Sequence, residues 1–385
     1  MKPRQDCPGC GGSRLTAAFV LPKQPVVLNY RFRSAADARA VPRRNVHLVQ
    51  CRACSLVFNA EFEPDITPYD ENYENRQGFS PVFRAHVTDL IGRLAKVPGV
   101  RGGRILEVGC GKGDFLREAA ATNGARADGY DTSYEGPPTD DGGRIRFFSS
   151  YVSASNVDGQ YDAVICRHVV EHVPGIGAFL KELAGIARAA GDPLVVLETP
   201  RFEWIVENRC LWDVFYEHCN YFTQPALAHL ARLAGFKVVR HTPVFGDQYQ
   251  WLELRLAGRA ATPEPPGIPP KARLSTFARS ARRQLDGLVN RIRTERGRQP
   301  WAIWGAGAKG VALANLLPRI KPACVVDSNP AKQGGVLTGT SIPIIAPQDP
   351  RIRDFGLVVI ANPNYAEEIR ADLAKAGFSG KTFCL

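Results

Sequence analysis

The sequence predicts an α/β chain with doubly wound sheets, and three observations carry that prediction. Residues 105–116, ILEVGCGKGDFL, pass from an apolar strand through a glycine turn into a helix-like stretch. Residues 303–310, IWGAGAKG, do the same and lead into GVALANLL. Around these loops, short apolar runs alternate with helical patterns. They are RILEVGC, RADGYDT, RIRFFSS, YDAVICR and PLVVLET in residues 88–258, then WAIWG, ACVVDS, LVVIAN and KTFCL in residues 299–385. Such alternation builds sheets covered by helices on both faces. With 385 residues, 44% of them hydrophobic, the chain can bury more than one core.

Four parts follow in order. Residues 1–87 read as an irregular, turn-rich segment carrying CPGC (Cys7, Cys10) and CRAC (Cys51, Cys54), two CxxC knuckles forty residues apart. Four thiolates so placed suit a structural Zn²⁺ with no open position, so this metal should fold its segment rather than catalyse. Residues 88–258 hold the first glycine loop. Residues 259–298 begin with the proline-rich stretch ATPEPPGIPPK, a linker. They continue with Leu274, Phe277, Ala281, Leu285, Leu288 and Ile292 at helical spacing. Ten basic and three acidic residues between Arg259 and Pro300 supply +7 of the chain's +11. Charge confined to one amphipathic helix is a solvated face or a means of steering an anionic substrate. It does not describe a nucleic-acid-binding surface. Residues 299–385 hold the second loop. The start of the chain has no signal-like run and no segment approaches a membrane span, so a soluble, cytoplasmic protein is expected.

The second loop is GxGxxG (Gly305, Gly307, Gly310), with Asp327 22 residues past Gly305, the spacing of a dinucleotide fingerprint. The first loop reads Glu107-Val-Gly109-Cys-Gly111-Lys-Gly113 and resembles motif I of class I S-adenosylmethionine (SAM)-dependent methyltransferases. Asp131, 22 residues past Gly109, is placed for the ribose hydroxyls. Ser149 and Ser150 close the third strand near the adenine position, and Arg167 ends the fourth. HVVEH, His168 to His172, matches the zinc-peptidase pattern HxxEH, but no third ligand follows in the sequence. His172 is then a substrate or cofactor contact, or a structural histidine. DVFYEHCNYF, residues 213–222, gathers Glu217, His218 and Tyr221 among aromatic side chains. Removing a proton beside a carbonyl needs a base, and either His218 or Glu217 can serve.

Together these segments resemble the three-domain SAM-dependent C-methyltransferases of bacterial deoxysugar pathways. The likeness runs through the four cysteines, QPVVLN between the knuckles, the central loop, and WGAGAKG, VVDSNPAKQGG and TSIPI near the end. It implies a class I methyltransferase sheet flanked by an N-terminal zinc-binding domain and a C-terminal Rossmann-like domain without redox chemistry. The implied acceptor is a nucleotide-linked keto sugar. The family's Tyr-His-Glu-His cluster maps to Phe215-Tyr216-Glu217-His218, so the Glu-His pair is kept and the two residues before it differ. The family's histidine after the fourth strand maps to His172, and its substrate-contacting Tyr and Ser to Tyr69, Tyr73 and Ser80. An HGGS-type stretch expected near residues 244–254 is replaced by FGDQYQ. The competing readings are an O- or N-methyltransferase on the same scaffold, a zinc-knuckle nucleic-acid-binding protein and, last, a dehydrogenase. Oligomeric state is not encoded in any of these features.

Overall fold

The computed structural model describes residues 3–67, 70, 72–258 and 271–385, with backbone alone at 17, 18 and 271–276. Tyr69 and the proline-rich stretch before Lys271 lie outside the described residues. The described residues form three sheets, of four, eight and five strands.

The N-terminal segment is more regular than its sequence suggests. β1 (Leu15–Pro25) pairs antiparallel with β2 (Arg43–Cys51), which pairs with β3 (Val57–Asn59). Two register shifts in the β1–β2 ladder, between Ala17 and Phe19 and between Leu21 and Gln24, break the alternation that would announce a strand. α1 (Ala35–Ala40) is capped by Ser34, whose hydroxyl accepts from the Asp37 N–H at 3.1 Å. The fourth strand of this sheet is supplied from far along the chain: β10 (Asn220–Tyr221) pairs antiparallel with β3.

The central sheet contains β4 (Arg104–Val108), β5 (Arg126–Tyr130), β6 (Thr139–Asp140), β7 (Ile145–Phe148), β8 (Ala163–Arg167), β9 (Leu194–Pro200), β11 (Phe236–Val244) and β12 (Tyr249–Leu256). β7, β5, β4, β8 and β9 run parallel, while β12 lies antiparallel between β9 and β11. This is the class I methyltransferase sheet. Neighbouring residues face opposite ways: Leu106, Val164 and Leu197 pack with Leu180, Leu183 and Leu227, whereas Ile105, Ile165 and Val196 pack with Leu90, Ile91 and Leu116. α4 (Ile176–Ala189) and α6 (Gln224–Leu233) thus cover one face, and α2 (Pro81–Leu94) and α3 (Asp114–Asn123) the other. α2 runs through the division at residues 87/88, and its whole apolar side belongs to the central core. The strand order reverses at β4, so the crevice of the sheet opens between the ends of β4 and β8.

α5 (Phe202–Glu207) follows β9 and packs against α7 (Lys271–Arg296), which leads to the third sheet. It consists of β13 (Trp301–Trp304), β14 (Cys324–Val326), β15 (Ile344–Ile345), β16 (Leu357–Ile360) and β17 (Lys381–Cys384), all parallel. α8 (Ala308–Leu316) follows β13, and α9 (Ala366–Lys375) precedes β17. Here the order reverses at β13, directly before the second glycine loop. α7 buries Phe277, Ala281, Leu288 and Ile292 in a core shared by Leu48 of the first sheet, Trp212 and Ile303. Arg282, Arg283 and Arg293 face outward, as an amphipathic helix requires. No helix among the described residues is long and apolar enough to cross a membrane.

Candidate active site

The first glycine loop is held open by backbone geometry. Gly109 and Gly113 have φ of 76° and 81°, and a Cβ on them would lie 2.3 Å from Val169 and 2.5 Å from the Phe147 ring. The Gly111 N–H donates to the Asp131 carboxylate at 2.8 Å, and the Ser133 N–H and hydroxyl donate to its other oxygen. That fixes the loop against the end of β5 and leaves Asp131 acceptor capacity for a further donor. Glu107 is fully enclosed, and its Oε2 has no hydrogen-bond partner. Burial pushes its carboxyl up to about 8, partly opposed by Arg167. An open glycine cradle, a ribose-sized acceptor and an unpartnered buried carboxyl beside them fit SAM, whose methionine end carries an ammonium group. Ser149 donates to the Tyr134 carbonyl at 2.9 Å, and Ser150 is exposed. Arg167 donates to Glu198 at 2.7 Å and lies 4.0 Å over the Phe115 ring, two residues past the loop.

A cavity of about 260 Å³ opens beyond this loop, between the central sheet and the second glycine loop. Glu217, His218, His172 and His168 line it from one side, and Gly305, Gly307, Lys309 and Asp327 from the other. His168, with φ of 53°, turns the chain sharply out of β8. The turn brings Glu171 and His172 round to residues 217–218, and the His172 Nδ1–H donates to the Glu217 carbonyl at 3.0 Å. The His172 and His218 rings meet edge to face at 4.8 Å, and Phe215 closes on His218 at 5.0 Å. Tyr221 does not reach the cavity. Its hydroxyl donates to the Phe215 carbonyl at 2.7 Å and takes the Phe215 N–H at 2.8 Å, so it props the loop from behind.

The Glu217 carboxylate accepts from the Leu28 N–H at 2.6 Å and from the Tyr73 hydroxyl at 3.3 Å. Burial pushes it up to about 7. Burial, with His172 second, pushes His218 down to about 3. Glu171 is driven up by burial, but the His168 hydrogen bond and the neighbouring imidazoles outweigh this and hold it at about 2. Ser80 lines the cavity while donating to Glu368 at 2.8 Å and capping α2. Among the described residues, no basic side chain of α7 lines the cavity.

Several wall residues were not singled out from the sequence. Lys309 pairs with the Asp213 carboxylate and sits 4.7 Å from the Trp204 ring. Buried Lys332 donates to the Ala306 carbonyl at 3.1 Å and to Asn29 at 3.3 Å. Asn29 and Lys332 stand inside the stretches QPVVLN and VVDSNPAKQGG, so those segments were the available signal. The Lys309–Asp213 pair joins positions 96 residues apart and leaves no trace in the sequence.

Away from the cavity, Cys7 and Cys54 place their sulfurs 3.5 Å apart and Cys10 and Cys51 theirs 3.6 Å apart, all four within 4.8 Å of one another. A tetrahedron of Zn–S bonds near 2.3 Å has edges of about 3.8 Å. The Gly9 and Ala53 N–H groups point at Cys7 and Cys51 at 3.4 Å, as knuckle turns do around a metal-bound thiolate. The donor set fits zinc.

Residues 80–241 match a methyltransferase domain, and residues 266–385 match the C-methyltransferase C-terminal domain. A ubiquinone biosynthesis O-methyltransferase of Aeromonas salmonicida (strain A449) is 31% identical over 176 residues, covering 42% of this chain and 74% of that protein. An Escherichia coli O157:H7 (strain EC4115 / EHEC) protein of the same description is 30% identical over 122 residues, covering 30% of this chain and half of its own length. Among solved structures, the Burkholderia thailandensis 1,6-didemethyltoxoflavin-N1-methyltransferase with S-adenosylhomocysteine bound superposes with a TM-score of 0.35 at 20% identity, over 46% of this chain and 79% of that one.

Proposed function

Because the chain belongs to the SAM-dependent methyltransferases, we propose that it methylates a carbon beside a ketone, most naturally on a nucleotide-activated keto sugar. One observation carries the proposal: the Glu217–His218 pair faces a cavity bounded by the ends of β8 and β9 of the methyltransferase sheet and by the loop of a C-methyltransferase C-terminal domain. Bound SAM would supply an electrophilic methyl group, and the residues of the first loop would hold it. Glu107 would take the ammonium, Asp131 the ribose, and Gly109 to Gly113 would let the backbone approach closely. Across the cavity, Gly307 and the start of α8 present N–H groups suited to phosphate, with Lys309 beside them. The proton on the acceptor carbon would pass to the Glu217–His218 pair. Tyr73 and the Leu28 N–H orient Glu217, and Phe215 and Tyr221 fix His218. Closure of the pocket keeps the reacting carbon and the methyl group in line.

Zinc on Cys7, Cys10, Cys51 and Cys54 belongs to the same reading as a structural metal, as does a cytoplasmic location. The curated relatives favour a second reading, O-methylation, because both are named O-methyltransferases.

The test is incubation with SAM and keto-sugar nucleotides, with the new methyl located by NMR. His218→Ala and Glu217→Gln should each lose roughly 10²–10⁴-fold in methylation while binding SAM normally. Wild-type-like methylation by both variants would remove the pair from the reaction. A methyl group found on oxygen or nitrogen would replace the reaction class.

A further inference from the structure

HVVEH alone offers two imidazoles and a carboxylate on one short turn, and the sequence supplies no ligand nearby to complete a metal site. The fold does. The 217–218 loop lies against that turn, and one ligand atom from each of Glu171, His172 and His218 lies within 4.8 Å of the other two. We propose that these three side chains form a site for a divalent first-row transition ion on the wall of the cavity.

All three line the cavity. Glu171 is oriented by the Thr199 hydroxyl, which donates to Oε2 at 2.9 Å. His172 is oriented by its bond to the Glu217 carbonyl, the outer support that metal-bound imidazoles commonly have. The His218 ring nitrogens have no hydrogen-bond partner among the described residues, although the ring is wedged between Phe215 and His172. An ion bound at about 2.1 Å to each ligand needs them no more than about 4.2 Å apart. A small tilt of the His218 ring, whose nitrogens no hydrogen bond among the described residues holds, supplies the difference. Two imidazoles and one carboxylate suit zinc, cobalt, manganese or ferrous iron better than calcium or magnesium. Three protein ligands also leave positions open toward the cavity, unlike the closed Cys₄ set.

An ion there would hold the carbonyl oxygen of the acceptor. Glu217 then receives the proton, the C–H electron pair forms the C=C bond, and the carbonyl π pair moves onto the ion-held oxygen. The carbon next bonds to the methyl group, the sulfonium sulfur keeps the pair of the broken S–C bond, and the carbonyl re-forms. This catalytic role rests on the C-methylation reading; ion binding does not.

The experiment titrates Co²⁺ into the full-length protein after its metal content is brought to one zinc per chain. The expected result is one further ion per chain at micromolar concentration, with weak ligand-field absorption and no intense thiolate band. Glu171→Gln and His218→Asn should each weaken that binding at least tenfold. Saturation by zinc alone, or a second ion held equally well by both variants, overturns the site. Should either variant fail to fold, the wild-type protein decides by NMR. Paramagnetically shifted ring protons from two histidines support the site, and their absence overturns it. Cobalt binding without C-methylation retains the site and discards the proposed reaction.

Discussion

The loop after β4 and the loop after β13 use one backbone device. In each, an acidic residue at the end of the next strand accepts a loop N–H: Asp131 from Gly111 at 2.8 Å, and Asp327 from Ala306 at 2.6 Å. In each, the strand order of the sheet reverses at the strand that precedes the loop. They differ in what stands opposite. Gly305, Gly307, Gly310 and Asp327 line the cavity that holds Glu217 and His218, whereas Gly109, Gly111, Gly113 and Asp131 lie outside its wall. The first loop also has a buried carboxyl behind it, and the second has lysines beside it. The glycine pattern therefore specifies a tight turn from strand to helix, tied to the next strand by its acidic residue, and the neighbouring charges decide what the turn can hold.

The sharpest way to break this comparison is to add one methyl group to each loop. Gly109→Ala forces a Cβ against Val169 at a left-handed φ, with strain of ~1–3 kcal/mol before the clash is counted. SAM affinity, read by calorimetry, should fall by roughly 10²-fold. Gly310→Ala drives a Cβ to 1.8 Å from the Gly305 carbonyl and should spare SAM binding while raising KM for the acceptor. If both variants lose SAM equally, the two loops do not have separate ligands.

Removing the acidic partner should act in the same direction but less strongly. Asp131→Ala and Asp327→Ala each delete a charge-assisted bond worth ~1.5–3 kcal/mol. The first should raise the Kd for SAM tenfold or more, and the second should raise acceptor KM alone. A crossed pattern in steady-state kinetics would show that the loops are coupled.

A smaller effect separates the loops by pH. Glu107 is pushed by burial to about 8 against an ordinary 4.5, so it carries a proton at neutral pH. A bound ammonium favours the carboxylate, so SAM should bind several-fold more tightly as pH rises from 6 to 8, and Glu107→Gln should flatten the profile. The same raised value means that the folded state keeps a proton the unfolded chain releases above about 4.5. The stability contributed by this group is therefore lost as pH rises toward about 8, and thermal melts at several pH values read it. The smallest expected effect is none: NADH and NADPH should leave the protein's fluorescence unchanged at micromolar concentration. Saturable quenching with turnover of a ketone would give the second loop the role its spelling suggests.

The parallel strands were legible because each is a continuous apolar run bounded by glycine or charge, as in RILEVGC and LVVIAN. β1 escaped because its bulges disrupt period two, and β10 because two residues carry no period at all. Within the site, the loop glycines, Asp131, Glu217 and His218 could be read from local pattern and resemblance. Glu171 beside His218, Lys309 against Asp213, and Leu28 on Glu217 could not. Each depends on chain crossings that no spacing records.

β10 also has a consequence for how the protein is made. Asn220 and Tyr221 lie one residue beyond the Glu217–His218 pair, yet they complete the sheet begun by β1 to β3, and the Asn59 N–H donates to the intervening Cys219 carbonyl at 2.9 Å. A ribosome releases β3 long before its neighbour exists, so the nascent sheet waits with one edge unpaired, open to any other strand. The cysteine knuckles can come together before that closure; the seating of Glu217 and His218 cannot. A gene fragment that began at residue 88 would encode the first glycine loop intact and still leave Glu217 without Leu28 and Tyr73.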